Sequence, residues 1–204
     1  MSIANYQVPA KTWQVELEVK RSKFLTFAAN TESRESAEGF IKELREQHPQ
    51  ANHVCWAYIA GAPDTTVRSM SDDGEPSGTA GMPMLKVLEY SGLGDIAVAV
   101  VRYFGGTKLG TGGLQRAYSD AVSLVLTDLP TTTKVHRSVL KLTYDYGVDG
   151  HVSRLLERYG VQDVVAEYDH QVIVTLAIAT ADLSQCKSEL MNITAGKILI
   201  NETV

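Results

Sequence analysis

Residues 96–113 constrain the fold more than any other stretch. Positions 96–101 read Ile-Ala-Val-Ala-Val-Val. A run that is apolar at every position has no solvated face, so as a strand it must be buried on both sides. It passes through Arg102, Tyr103 and Phe104 into a loop with glycine at 105, 106, 110, 112 and 113. A helix over about 113–127 follows, because Leu114, Ala117, Tyr118, Ala121, Val122 and Val125 recur at helical spacing.

The flanking segments extend this pattern. Residues 12–19 and 23–29 read as two strands joined by the basic turn Lys20-Arg21-Ser22. Residues 33–47 read as a helix with Ala37, Phe40, Ile41 and Leu44 on one face and Ser33 as its cap. Strands are expected over 53–60 and 66–70, then a turn-rich loop from Ser71 to Gly81 and a helix over 80–90. Residues 129–136 have linker composition, which puts a domain boundary there. Beyond it, the order strand 137–144, helix 149–159, hairpin 161–167 and 171–178, helix 181–193 and strand 197–203 is the ferredoxin-like β-α-β-β-α-β pattern. The fold class is therefore α+β, with one domain over 1–132 and a second over 137–204.

With 204 residues and 44% apolar side chains, such domains can bury real cores without metals or disulfides. Cys55 and Cys186 lack metal-ligand spacing and read as core thiols of a reducing compartment. The net charge of −5 argues against a broad basic coat for nucleic acid, though not against a compact basic site. The first residues lack the basic start and apolar run of a signal peptide, and no run approaches the ~18 apolar residues of a membrane span. A cytoplasmic protein without a membrane partner is expected.

Three segments could carry chemistry. Gly105, Gly106, Gly110, Gly112 and Gly113 open a helix whose first N–H groups are unpaired, with Lys108 inside the loop and Arg102 just before it. That combination suits a phosphate. It is neither a P-loop nor a dinucleotide fingerprint, since no Gly-Lys-Ser/Thr closes it and the glycine spacing differs. The alternative is a tight strand-to-helix connection. Asp72, Asp73 and Glu75 offer oxygen ligands for Mg²⁺, or simply a polar loop before a helix. Lys20, Arg21 and Lys23 surround Ser22 beside Phe24, a cluster that suits phosphates and a stacked base, or a solvated strand edge. His53 begins an apolar strand, either as a general base or as a core histidine satisfied by a carbonyl. No nucleophile elbow is present.

On these residues the chain resembles the YigZ/IMPACT family. The likeness rests on Lys20-Arg21-Ser22-Lys23-Phe24, His53, the stretch Ser71-Asp72-Asp73-Gly74-Glu75-Pro76-Ser77-Gly78-Thr79-Ala80-Gly81, and Val100-Val101-Arg102-Tyr103-Phe104-Gly105-Gly106 continuing to Leu109-Gly110. It covers residues 1–130 strongly. It implies a first domain similar to domain IV of elongation factor G and to a small-subunit ribosomal protein, a β-α-β sandwich. It implies a second domain similar to that factor's ferredoxin-like C-terminal domain. Eukaryotic relatives regulate translation initiation under starvation stress, and no catalytic residue is implied.

The expectation is a non-enzymatic, translation-associated regulator that binds RNA, the ribosome or a translation-linked protein partner through a phosphate site. Arg102, Lys108 and the N–H groups of Gly110, Gly112 and Gly113 would hold the anion. Lys20, Arg21, Lys23 and His53 would extend its rim. The competing reading is a Mg²⁺-dependent enzyme acting on a nucleotide or another phosphorylated small molecule.

Overall fold

A computed structural model describes residues 5–203. The chain divides into two compact units. One is Tyr6–Lys134, and the other gathers Asn5 with the residues from Val135 onward.

The first unit contains β1 (Tyr6–Pro9), β2 (Trp13–Val19), β3 (Ser22–Asn30), α1 (Arg34–Gln47), β4 (His53–Ile59), β5 (Arg68–Ser71), α2 (Gly81–Ser91), β6 (Ile96–Tyr103), α3 (Thr111–Thr127) and β7 (Thr131–Lys134). Its main sheet runs β2-β3-β6-β4-β5 with every neighbouring pair antiparallel. The apolar run of β6 takes the central position, and Ile96 to Val101 are fully buried. On one face Ala37, Ile41 and Leu44 of α1 lie in clusters with Tyr58, Ala97, Ala99 and Val101. On the other, Met84 and Leu88 of α2 and Leu114, Tyr118 and Val122 of α3 pack with Phe24, Cys55, Val98 and Val100. Each large side chain so enclosed stabilises the unit by about 1.5–3 kcal/mol relative to exposure. Ser33 caps α1 through a capping box completed by Ser36.

The stretch with linker composition holds structure of its own. Its β-branched threonines form β7, which pairs antiparallel with β1 in a separate two-stranded sheet. Lys134 Nζ reaches Asp95 Oδ2 at 2.7 Å, and the Asp95 carboxylate also accepts from Tyr6 Oη and the Gly61 N–H, each at 2.8 Å. Burial and the Asp95 carboxylate push the Tyr6 phenol up to about 12.

The second unit contains β8 (Arg137–Tyr144), α4 (Asp149–Arg158), β9 (Gln162–Tyr168), β10 (Val172–Ala179), α5 (Leu183–Ile193) and β11 (Leu199–Thr203). The sheet order β11-β8-β10-β9, all antiparallel, gives the ferredoxin-like topology. Leu140, Leu142, Val174 and Leu176 meet Val152, Leu155 and Leu156 of α4 and Cys186 and Leu190 of α5. Gly160, at φ +55°, stands just past the end of α4. The whole chain is an α+β protein of two units.

Candidate functional site

The β2–β3 hairpin sets one wall of the site. Val19 pairs with Ser22, so only Lys20 and Arg21 form the loop. Their φ angles are +48° and +67°. Two central residues with positive φ are the mark of a type I′ turn, which Asn-Gly fills most easily. Two long cations there cost about 1 kcal/mol each.

This turn rests directly on the glycine loop. A Cβ at Gly105 would stand 2.0 Å from the Arg21 carbonyl carbon and 2.4 Å from the Ser22 nitrogen. Only glycine permits that approach. The Gly105 N–H donates to Ser22 Oγ at 3.2 Å, and Arg21 Nη2 donates to Thr107 Oγ1 at 3.0 Å. Asn52 Oδ1 accepts from the Phe104 N–H at 2.8 Å and fixes the start of the loop. Gly110, at φ +74°, precedes α3 as its N-cap without a side-chain hydrogen bond. The first turn of α3 contains Gly112 and Gly113 and no acidic residue.

Beneath the loop lies a buried ion pair. Arg102 Nη1 donates to Glu75 Oε1 at 2.5 Å, with side-chain exposures of 6% and 3%. Tyr118 Oη donates to the same carboxylate oxygen at 2.8 Å. Arg102 Nη2 reaches Ser22 Oγ at 3.4 Å, and its Cζ lies 5.4 Å from the Phe24 ring centroid and 5.7 Å from that of Phe104. The Cys55 thiol stands 2.9 Å from the Asp72 carbonyl and 3.3 Å from Tyr118 Oη. Burial pushes the Cys55 thiol up, only partly opposed by Tyr118, and burial with Cys55 and Glu75 pushes the Tyr118 phenol up. Both stay protonated at neutral pH, so Cys55 is an inert thiol.

The acidic loop turns its carboxylates in separate directions. Asp72 accepts the N–H groups of Gly78, Ala80 and Gly81 at 2.8, 2.9 and 2.8 Å, holding the entry to α2. Burial raises the Asp72 carboxyl, but these three donors outweigh it and leave the group below its ordinary value. Asp73 accepts from the Val54 N–H at 2.6 Å and pairs with Arg45 at 2.8 Å. Glu75 faces Arg102. Among the described residues no three His, Cys, Asp or Glu side chains are grouped to hold a metal ion. Of the two readings of Asp72, Asp73 and Glu75, a Mg²⁺ site or a polar loop, the geometry suits the loop, because each carboxylate is held by its own protein donors.

Two other expected ligands also face inward. Arg102 is closed beneath the loop by Glu75, which neutralises the charge an anion would need. Its Nε is buried and, among the described residues, has no hydrogen-bond partner. His53 Nδ1 lies 2.9 Å from the Asp73 carbonyl, which can only accept, so this nitrogen carries the proton. His53 Nε2 stands 3.9 Å from Glu75 Oε2. Lys20, Arg21 and Lys108 are exposed, as are Gly106, Gly110 and Gly112, while Gly105 and Gly113 are partly covered. Lys23 is exposed and pairs with Glu16 at 3.3 Å.

Thus the three segments do meet, around Ser22, Glu75, Arg102 and Gly105. Sequence reasoning missed Ser22, Thr107 and Tyr118 as members. Tyr118 was legible only as one position of the α3 stripe, where a single hydroxyl among apolar side chains needs a partner once buried.

Residues 20–126 match the Impact N-terminal domain. An IMPACT family member from Haemophilus influenzae is 41% identical over 97% of both chains. The chain belongs to the IMPACT family. The family member YigZ from Escherichia coli is 37% identical over 95% of this chain and 96% of its own. YvyE from Bacillus subtilis is 33% identical over 92% of this chain and 86% of its own. A crystal structure of a hypothetical protein superimposes with a TM-score of 0.71 at 36% identity, covering 97% of each chain. The Impact N-terminal match takes in all three converging segments, while the IMPACT relatives extend across both units.

Proposed function

We propose that this IMPACT protein is a cytoplasmic, non-enzymatic regulator of translation that reads phosphates of RNA on the ribosome. The Arg21–Thr107 hydrogen bond is the observation that carries the reading, because it seats a cationic turn against the glycine loop. Lys20, Arg21 and Lys108 are exposed beside that loop, which leads into the uncapped start of α3. Backbone N–H groups at a helix start and exposed cations together suit a phosphate, and neither depends on base identity. IMPACT membership supports a translation-related role. A turn that keeps two cations in the left-handed region, where Asn-Gly would relax it, supports a use for those charges.

In this reading Arg102, Glu75, Tyr118 and Ser22 position the loop rather than touch the ligand. The acidic loop ties β4 to the start of α2. The net charge of −5 confines binding to a compact patch. Among the described residues, no helix is long and apolar enough to cross a membrane.

Co-sedimentation with ribosomes and with free RNA across a salt series tests this. Binding should fall with salt, and the triple variant Lys20→Ala, Arg21→Ala, Lys108→Ala should flatten the logarithmic salt slope by about one per contacting cation removed. A triple variant that sediments like the parent at every salt concentration would discard the reading.

A further inference from the structure

The second unit carries a feature its own core does not use. In a sheet covered by helices on one face, alternate residues of each strand should be buried. β9 breaks that rule, with all seven of its residues exposed. Tyr168 and Ala166 stand opposite Val172 and Val174, which are buried in the core, so they share the helix-covered face. Yet Val164 and Tyr168 remain 54% and 64% exposed. Between β9 and α4 lies an open groove of about 480 Å³, floored by Leu156, Val161, Val164, Ala166 and Tyr168. Tyr146 stacks on Tyr168 at 6.3 Å between centroids and donates from its hydroxyl to the Asp169 carbonyl at 2.7 Å, which fixes one end.

β9 also lies at the edge of the sheet, and among the described residues β10 is its one strand neighbour. Its other side presents backbone donors and acceptors to a further strand. Charge decides what kind of strand. The charged residues lining the groove are Asp149 and Glu157, and among the described residues no Lys or Arg lines it. Asp163 and Glu167 add two more carboxylates on β9 itself. A second copy laid strand to strand would bring these acids together, which is unfavourable. Nucleic acid would meet the same repulsion.

We propose that the β9 edge and the β9–α4 groove form a docking site for a protein partner that adds an extended, basic segment. Apolar side chains at alternate positions enter the groove, and the lysines or arginines between them point to the other face of the sheet beside Glu167, within the negative field of Asp149, Glu157 and Asp163. This site is separate from the phosphate rim of the first unit, and neither reading depends on the other.

The test uses the full chain and a fluorescent synthetic peptide of about eight residues alternating lysine with valine, a length that suits one strand. Anisotropy should show saturable binding, and the counterpart with glutamate in place of lysine should not bind. Val164→Arg should weaken binding by about tenfold or more and Glu167→Lys by about threefold, magnitudes usual for a central anchor and a rim charge. Both positions are exposed, so both variants should melt with the parent. Backbone N-methylation of the peptide on alternate residues should abolish binding by removing strand donors. Equal binding of the two peptides, indifference to Val164→Arg, or indifference to N-methylation would each overturn the proposal. So would a Val164-dependent self-association in ultracentrifugation, which would make a second copy the occupant.

Discussion

The two units depart in opposite directions from the usual placement of side chains. In the first, Arg102 and Glu75 lie inside, each less than a tenth exposed. In the second, Val164, Val165 and Tyr168 lie outside, each more than half exposed. Buried charge needs partners to be tolerated, and exposed apolar surface needs a reason to persist. The first unit supplies the partners internally, through Tyr118 and Ser22. The second leaves its β9 strand uncovered among the described residues, which is the surface proposed above as a docking site. One unit encloses polar groups that satisfy one another, and the other leaves apolar side chains of a strand open to solvent.

Substitutions at the two cores sharpen that contrast. Arg102→Ala leaves Glu75 buried without its counter-charge and should cost about 3–5 kcal/mol. Both tryptophans, Trp13 and Trp56, belong to the first unit, so urea unfolding followed by their fluorescence reads this loss directly. The double variant Arg102→Met, Glu75→Leu should recover most of it, because the desolvation cost disappears with both charges. If the double variant is as unstable as the single one, the pair is doing more than balancing charge.

Leu142→Ala in the second unit should cost about 3 kcal/mol by leaving a cavity between the sheet and its helices. Hydrogen exchange of the β8 and β10 amides measures it. A change well under 1 kcal/mol would mean that this core collapses readily, and the contrast with the first unit would then extend to packing.

The smallest effect is set by pH. Asp72 has its folded pKa depressed by three backbone donors against the opposing effect of burial. Its stabilisation is therefore complete above the ordinary carboxylate value of about 4 and is lost as pH falls below that, through the depressed folded value. Asp72→Asn should flatten the acid limb of the tryptophan-detected stability curve by about 1–2 kcal/mol, the worth of hydrogen bonds to a charged acceptor. An unchanged limb would show that the Gly78, Ala80 and Gly81 N–H groups are equally content with water.

Much of the fold was written in local pattern. The six-residue apolar run found the centre of the sheet, and the α3 stripe found the helix that covers it. The β1–β7 ribbon was not legible, because Gln7 meets Thr133 across 126 positions and neither segment has a pattern that names the other. The inward course of Arg102 had a signal that composition hides. It lies two residues after Val100 and four after Val98, so strand alternation sends it to the same face, beneath α2 and α3. Charge suggested a ligand, whereas parity placed Arg102 inside. The acidic loop misled for a related reason, since three adjacent carboxylates look convergent in one dimension while the turn at Asp73 and Gly74, both with positive φ, splays them.

The hairpin turn has a practical consequence. Asn-Gly at positions 20 and 21 would relieve its backbone and raise the melting temperature while deleting two of the three cations, Lys20, Arg21 and Lys108, proposed to meet phosphate. Screens that reward thermostability would select that replacement, and under the proposed phosphate reading the better-behaved protein would bind less. Any hardened version of this chain should therefore keep Lys20 and Arg21, even though both make the fold worse.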